Sequence, residues 1–211
     1  MIRTIVFDFG NVVGYFDHRL VSRRLAAHSR LAEAELHASI FASALEDDYE
    51  SGRLSTAEFL EQLRLKCRIC CPEETIIAAY SEIFWSNPDI GALLSELKPR
   101  CRLMLGSNTN ELHWRQFRRQ FADVLSFFDD LVLSHEIGVR KPKPGFFEHC
   151  RRRANCPAHE CLFIDDLEVN VEGARACGWQ GIVYKGIEEL RRHLLLDPRF
   201  PGGTDGRAEE R

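Results

Sequence analysis

Four short stretches place acidic, hydroxyl and ammonium groups just past apolar runs: Asp8-Phe9-Gly10-Asn11, Gly106-Ser107-Asn108-Thr109-Asn110, Arg140-Lys141-Pro142, and Asp165-Asp166 with Asn170 further on. Carboxylates hold Mg²⁺, a hard cation that prefers oxygen ligands. A cation and a lysine offset charge on phosphoryl oxygens, where preorganised electrostatics is usually the largest catalytic contribution. A hydroxyl with neighbouring amides can bind the same oxygens. A carboxylate free to attack phosphorus can form a covalent intermediate that water then hydrolyses. Together the stretches supply every part that phosphoryl transfer needs. Singly they are commonplace, since D-x-G, S-N-T-N and K-P ordinarily mark turns or caps. The adjacent pair Asp165-Asp166 says more, because neighbouring like charges are costly without a cation or other partner.

The elements that must carry these groups can be read around them. Residues 2–7 form a β-branched, nearly continuous apolar run, which suits a parallel strand buried on both faces. Similar runs recur at Arg102–Leu105, Leu131–Leu133, Leu162–Ile164 and Ile182–Tyr184. Helical patterns at Glu111–Phe121, Gly145–Arg153 and Glu168–Cys177 separate them. This alternation predicts an α/β protein with a doubly wound, Rossmann-like parallel sheet. In such sheets ligands bind beyond the carboxyl ends of the strands, where the four stretches fall.

Residues 15–86 break the alternation, with no convincing strand and four helical patterns. Ser55-Thr56-Ala57-Glu58 is a capping-box signature. Ile76, Ile77, Tyr80, Ile83 and Phe84 share one helix face, and Pro72 is placed to open that helix. The expected organisation is an α/β core from residues 1–14 and 87–196, an inserted helical-bundle cap at 15–86, and a disordered tail at 197–211.

With all four stretches in order, each after a predicted strand, the chain resembles the haloacid dehalogenase superfamily of aspartyl-nucleophile hydrolases. It is most similar to the subgroup with a helical cap between the first two motifs. The resemblance runs from residue 2 to about residue 190. It implies that Asp8 is the nucleophile and a Mg²⁺ ligand, with the Gly10 carbonyl also on the metal. It puts Ser107 and Asn108 on the phosphoryl oxygens and Lys141 between nucleophile and phosphoryl group. Asp166 would be the main acidic metal ligand, with Asp165 and Asn170 in or next to the coordination shell. The implied partner is a small phosphorylated metabolite. The combination of D-x-G-N, S-N-T-N and R-K-P looks most similar to bacterial α-D-glucose-1-phosphate phosphatases.

The pattern breaks at Gly10, where phosphatases of this superfamily usually carry a second aspartate that protonates the leaving oxygen. Losing a positioned acid/base costs on the order of 10²–10⁴ in rate. Asp17 or His18 could take over, although Asp17 reads better as a helix cap. A good leaving group, as in a sugar 1-phosphate, would need little protonation. A catalytically weak relative that binds a ligand or partner is the third reading. Metal-independent 2-haloacid dehalogenation is the main catalytic rival, and the retained Asp165-Asp166 pair argues against it. Phosphonate cleavage would want a Schiff-base lysine in the cap, where Lys66 sits on a charge-rich helix. A receiver domain is rejected by motif order. Specificity is expected from the cap face, with Tyr15, Asp17, His18, Glu46, Asp47, Asp48 and Tyr49 as candidates.

Composition narrows the partners. The 211 residues carry a net charge of −4, with 45% apolar and 28% charged residues, so no basic face invites nucleic acid or anionic lipid. Arg151-Arg152-Arg153 reads as a solvated helix face. No run is long enough to span a membrane, and Asp8 interrupts the N-terminus too early for a signal peptide, so a cytoplasmic location is expected. The eight cysteines read as buried hydrophobes and free thiols. Cys67, Cys70 and Cys71 lack the second pair that a zinc site requires.

Overall fold

A computed structural model describes residues 1–196, and the expected tail at 197–211 lies outside the described residues. The first strand, β1 (Thr4–Phe7), leads into β2 (Gly14–Phe16) and five helices: α1 (Arg19–Ala26), α2 (Glu33–Phe41), α3 (Ala44–Glu50), α4 (Thr56–Lys66) and α5 (Glu73–Ser81). The chain returns through β3 (Phe84–Ser86) to α6 (Ile90–Leu97), β4 (Arg102–Ser107), α7 (Glu111–Gln120), α8 (Ala122–Leu125) and β5 (Asp130–Leu133). The remaining elements are α9 (Ser134–Ile137), α10 (Pro144–Ala154), β6 (Cys161–Asp165), α11 (Glu168–Ala176), β7 (Gln180–Val183) and α12 (Ile187–Leu196).

Five strands form one parallel sheet in the order β5-β4-β1-β6-β7. Phe7, the last residue of β1, is level with Leu105 of β4 and Ile164 of β6. That register brings Asp8, Ser107 and Asp165 to one edge of the sheet. Alternate β1 side chains serve opposite layers. Ile5 and Phe7 pack with Leu103, Leu105, Ile164 and α6 residues, whereas Val6 joins Met104, Phe163 and the α10 residues Phe146 and Phe147. Burial on both faces explains the continuous apolar run in the sequence.

Helices α1–α5 surround a separate apolar cluster that includes Leu25, Leu36, Ile40, Phe59, Leu63 and Tyr80. Ser55 and Glu58 make the reciprocal capping box, with the Ser55 N–H donating to Glu58 at 2.8 Å. Three expectations need correcting. The insertion holds five helices, not four, and residues 14–16 and 84–86 are strands. β2 and β3 pair antiparallel where the chain enters and leaves the insertion. At three residues each, they are too short to display a period. Pro72 is the residue before the helix, and α5 starts at Glu73.

Candidate active site

The turn after β1 is tight. The Phe9 carbonyl accepts N–H bonds from Val13 and Gly14, both at 2.9 Å, and Asn11 takes a left-handed φ of 56°. Asparagine tolerates that conformation better than most side chains. The turn presents Asp8 against Lys141, whose ammonium lies 2.7 Å from Asp8 Oδ1 and 2.7 Å from Asp165 Oδ2. Asp8 Oδ1 also accepts the Phe9 N–H at 2.7 Å. Among the described residues, no donor bonds Asp8 Oδ2.

Asp165 is held from several sides. Its Oδ1 accepts from the Leu167 N–H at 2.9 Å, and the Asn170 amide donates to both carboxylate oxygens at 3.0 and 3.1 Å. Asp166 points elsewhere, accepting from the Asn11 amide at 3.0 Å. Asp8, Asp165 and Asp166 each offer an oxygen within 4.8 Å of the others, the only such group of His, Cys, Asp or Glu among the described residues.

Burial opposes the charge on Lys141, but Asp165 and Asp8 outweigh it and raise the pKa of the ammonium. Burial pushes Asp8 up to about 8, with Lys141 opposing and Asp165 and Asp166 adding to the rise. Burial likewise raises Asp166, against the pull of its Asn11 hydrogen bond. One ammonium therefore faces three carboxylates. That deficit of positive charge, in an all-oxygen donor set, fits a hard divalent cation.

Ser107 is buried at the end of β4, and its Oγ makes only a long 3.3 Å bond to the Asn108 carbonyl. The Asn108 side chain is spent on the Lys141 backbone, accepting from its N–H at 2.8 Å and donating to its carbonyl at 3.1 Å. Asn108 thereby positions the lysine. The Lys141-Pro142 peptide is cis.

Between the sheet edge and the insertion lies a cavity of about 50 Å³. Gly10, Ser107, Asn108 and His113 line it from the core, and His18 and Glu50 from the insertion, with aromatic walls that include Phe16. A β-carbon at Gly10 would lie 2.6 Å from Phe16 Cε1, so the Phe16 ring fills the space a side chain there would use. A larger groove of about 630 Å³ runs between α5 and α7, away from the carboxylates.

Several residues that matter here carry no motif. Arg140 pairs with Asp47 and, at 2.7 Å, with Glu50, joining α3 to the Lys141 loop. The Ser134 hydroxyl lies 2.6 Å from the Glu50 carbonyl and 3.0 Å from that of Thr109, and it accepts the Thr109 N–H. Glu50, Ser134 and Phe16 were not legible as site residues, because their roles depend on contacts across the chain. Among the specificity candidates, Asp17 accepts the N–H of Arg19, the first residue of α1, at 2.8 Å, while the N-cap position itself is His18. Tyr49 bonds Leu112 and Thr56, Asp48 pairs with Arg53, and Tyr15 pairs in register with Trp85. His18 is the candidate that faces the cavity. Lys66 is exposed, and all eight cysteines are free. Arg151 and Arg153 pair with Glu148 and Asp130 on an exposed helix face. No described helix is long and apolar enough to cross a membrane.

A parallel sheet interrupted after β1 by a helical insertion, with three carboxylates and a lysine at its carboxyl edge, defines an α/β hydrolytic enzyme. The chain belongs to the haloacid dehalogenase-like hydrolase family, whose profile matches residues 2–178. It is 28% identical over 207 residues to a D-ribitol-5-phosphate phosphatase from Bacteroides thetaiotaomicron, covering 93% of this chain and 98% of that protein. A protein from Porphyromonas gingivalis described as a predicted HAD-like family hydrolase superposes with a TM-score of 0.79 at 27% identity, covering 91% of this chain and 97% of that one. A haloacid dehalogenase-family enzyme from B. thetaiotaomicron, solved with magnesium and inorganic phosphate, shares the fold with a TM-score of 0.76 at 24% identity, covering 88% and 95%.

Proposed function

We propose that the protein is a Mg²⁺-dependent phosphohydrolase that cleaves a small phosphomonoester through an aspartyl-phosphate on Asp8. The observation carrying this reading is the Lys141 ammonium, 2.7 Å from both Asp8 Oδ1 and Asp165 Oδ2, which engages one oxygen of the nucleophile and leaves Oδ2 for phosphorus. Oδ2 attacks phosphorus in line, and the bond to the leaving oxygen breaks on the opposite face. Lys141 and Ser107 neutralise and orient the phosphoryl oxygens. Asp165, fixed by Asn170 and the Leu167 N–H, holds Lys141 in place. Mg²⁺, held by Asp8, the Gly10 carbonyl and Asp166 with Asp165 and Asn170 beside them, would supply further positive charge to the phosphoryl group. Helices α1–α5 act as a cap that shields the site from water and meets the leaving group.

The substrate is a sugar or polyol phosphate. The D-ribitol-5-phosphate phosphatase named above acts on a primary phosphate ester, and its likeness to this chain supports that class over a glucose 1-phosphate. The test is a phosphatase screen with and without Mg²⁺, run beside Asp8→Asn. Mg²⁺-dependent turnover and acid-labile phosphate on the wild type, both lost in Asp8→Asn, are expected. Activity that survives Asp8→Asn or ignores Mg²⁺ overturns the mechanism.

A further inference from the structure

A primary alkoxide is a poor leaving group, so the proposed reaction needs a proton on the departing oxygen, and Gly10 has none to give. In-line attack sends the leaving oxygen away from Asp8. The cavity between the sheet edge and the insertion is lined by three titratable side chains: His18 and Glu50 from the insertion, and His113 from α7.

Two of them are engaged. His113 Nδ1 lies 3.1 Å from the Asn110 amide, and Nε2 lies 3.1 Å from the Tyr80 carbonyl, so both ring nitrogens are used. Glu50 is bound to Arg140 at 2.7 Å. His18 differs. Its ring stacks on Phe41, with centroids 4.2 Å apart, and packs against Phe16, the residue that fills the space over Gly10. Its Nε2 lies 3.5 Å from Glu46 Oε1, a buried oxygen with no hydrogen-bond partner. Its Nδ1 makes no hydrogen bond among the described residues.

We infer that His18, backed by Glu46, is the acid/base that serves the leaving oxygen in place of the side chain absent at Gly10. This rests on the phosphohydrolase reading. When Asp8 Oδ2 bonds to phosphorus and the ester P–O bond breaks, the electron pair stays on the leaving oxygen. The Nδ1 proton of His18 moves to that oxygen, and the Glu46 proton moves to Nε2. In the second step water attacks phosphorus and the Asp8–phosphorus link breaks. The water's proton returns to Nδ1, and the Nε2 proton goes back to Glu46, which closes the cycle.

Proton occupancy agrees with this geometry. Burial, with Glu50 adding and Arg140 opposing, holds the Glu46 carboxyl well above its usual range. Burial and His37 lower His18 to about 4, against Asp17. The charged or titratable groups around it are Asp17 beside His18, His37 on α2, Asp47 and Glu50 on α3, His113 on α7, and Arg140 from the Lys141 loop.

The experiment compares wild type, His18→Asn and Glu46→Gln on p-nitrophenyl phosphate, phenyl phosphate and glycerol 1-phosphate, whose leaving groups become progressively more basic. His18→Asn should lower kcat/KM toward glycerol 1-phosphate by about 10²–10⁴ and toward p-nitrophenyl phosphate by less than about tenfold. The plot of log kcat/KM against leaving-group pKa steepens accordingly. Glu46→Gln should steepen it less. An equal loss on all three esters, or no loss, overturns the role of His18, since a purely structural side chain does not sense the leaving group. If His18→Asn fails to fold, Glu46→Gln carries the same slope readout. A wild type that turns over none of the esters and takes up no acid-labile phosphate overturns the phosphohydrolase reading and this role with it. An active wild type with unsteepened variant slopes overturns the role alone.

Discussion

The Phe16 ring stands over Gly10, its Cε1 2.6 Å from where a β-carbon on that glycine would lie. Phe16 also packs against His18 and Phe84, so the ring has neighbours to displace if it moves. Gly10→Asp should therefore cost about 1–3 kcal/mol, the usual penalty for overpacking, without raising turnover. Adding Phe16→Ala to Gly10→Asp should recover part of the stability and let the new carboxylate reach the leaving oxygen. Urea denaturation and kcat on glycerol 1-phosphate check both. A single Gly10→Asp variant that gains activity at undiminished stability refutes this packing account.

Among the described residues, Lys141 is the one ammonium paired with Asp8 and Asp165. In Lys141→Met the two buried carboxylates face each other uncompensated, which should cost about 3–5 kcal/mol. Turnover should fall by at least about 10²–10³, the scale of losing one preorganised donor. Lys141→Arg should not restore it, because a planar fork cannot replace a point charge shared by two carboxylates. Melting curves and kcat measurements test these expectations, and a variant with near-wild-type turnover contradicts them.

The sequence made the sheet legible because each core strand is buried on both faces and so appears as an unbroken apolar run. Asp8, Ser107 and Asp165 were legible for the same reason: each sits at or just past a strand whose end can be located, whereas Lys141 showed only through the order of the motifs. Gly10 advertised a missing proton donor, but the residue filling its space was invisible. Phe16 lies six positions on, in a strand of three residues too short to show a period. The Glu50–Arg140 and Glu46–His18 contacts join segments far apart in the chain, and no local pattern encodes such pairs. Asn108 reads as a phosphate ligand by its place beside Ser107, yet its side chain braces the Lys141 backbone.

Arg140 ties Glu50 and Asp47 of the insertion to the loop that carries Lys141. Removing the guanidinium strands Glu50, which is buried. Arg140→Leu should destabilise by about 3–5 kcal/mol, whereas Arg140→Leu with Glu50→Leu should cost less than the sum of the single changes. If the insertion closes over the site as proposed, KM should rise more than kcat falls, because the Arg140 pairs join the insertion to the Lys141 loop. A double-mutant cycle by urea denaturation, with steady-state kinetics alongside, measures both. Additive energies would show that the clasp contributes no coupling.

Asp8, Asp165 and Asp166 gather more negative charge than Lys141 offsets, so a divalent cation should stabilise the fold even without substrate. Mg²⁺ at about 100 times its dissociation constant should add about 2.7 kcal/mol, seen as a rise in Tm. Asp166→Asn should lose most of that rise while its metal-free Tm stays near or above the wild-type value, because one member of a repelling cluster has been neutralised. Thermal melts over a Mg²⁺ series decide this. An unchanged Mg²⁺ response in Asp166→Asn removes that residue from the metal's shell.

His113 is buried between α5 and α7, stacked on Tyr80 at 4.5 Å, with both ring nitrogens engaged. Burial, helped by His18 and opposed by the Tyr80 carbonyl, lowers its pKa from 6.5 to about 3. The unfolded chain therefore binds the proton first as pH falls. The contribution of His113 is fully present above about pH 6.5 and is lost progressively as pH falls toward about 3. At about 1.4 kcal/mol per pH unit, this one histidine should make the protein about 2 kcal/mol less stable at pH 5 than at pH 7.5. His18, also lowered by burial, adds in the same direction. His113→Gln should be less stable at pH 7.5 but show a flatter decline between pH 6.5 and 5. Urea denaturation at half-unit steps of pH measures both slopes, and parallel curves for the two proteins would mean that His113 titrates in the folded protein much as it does in the unfolded chain.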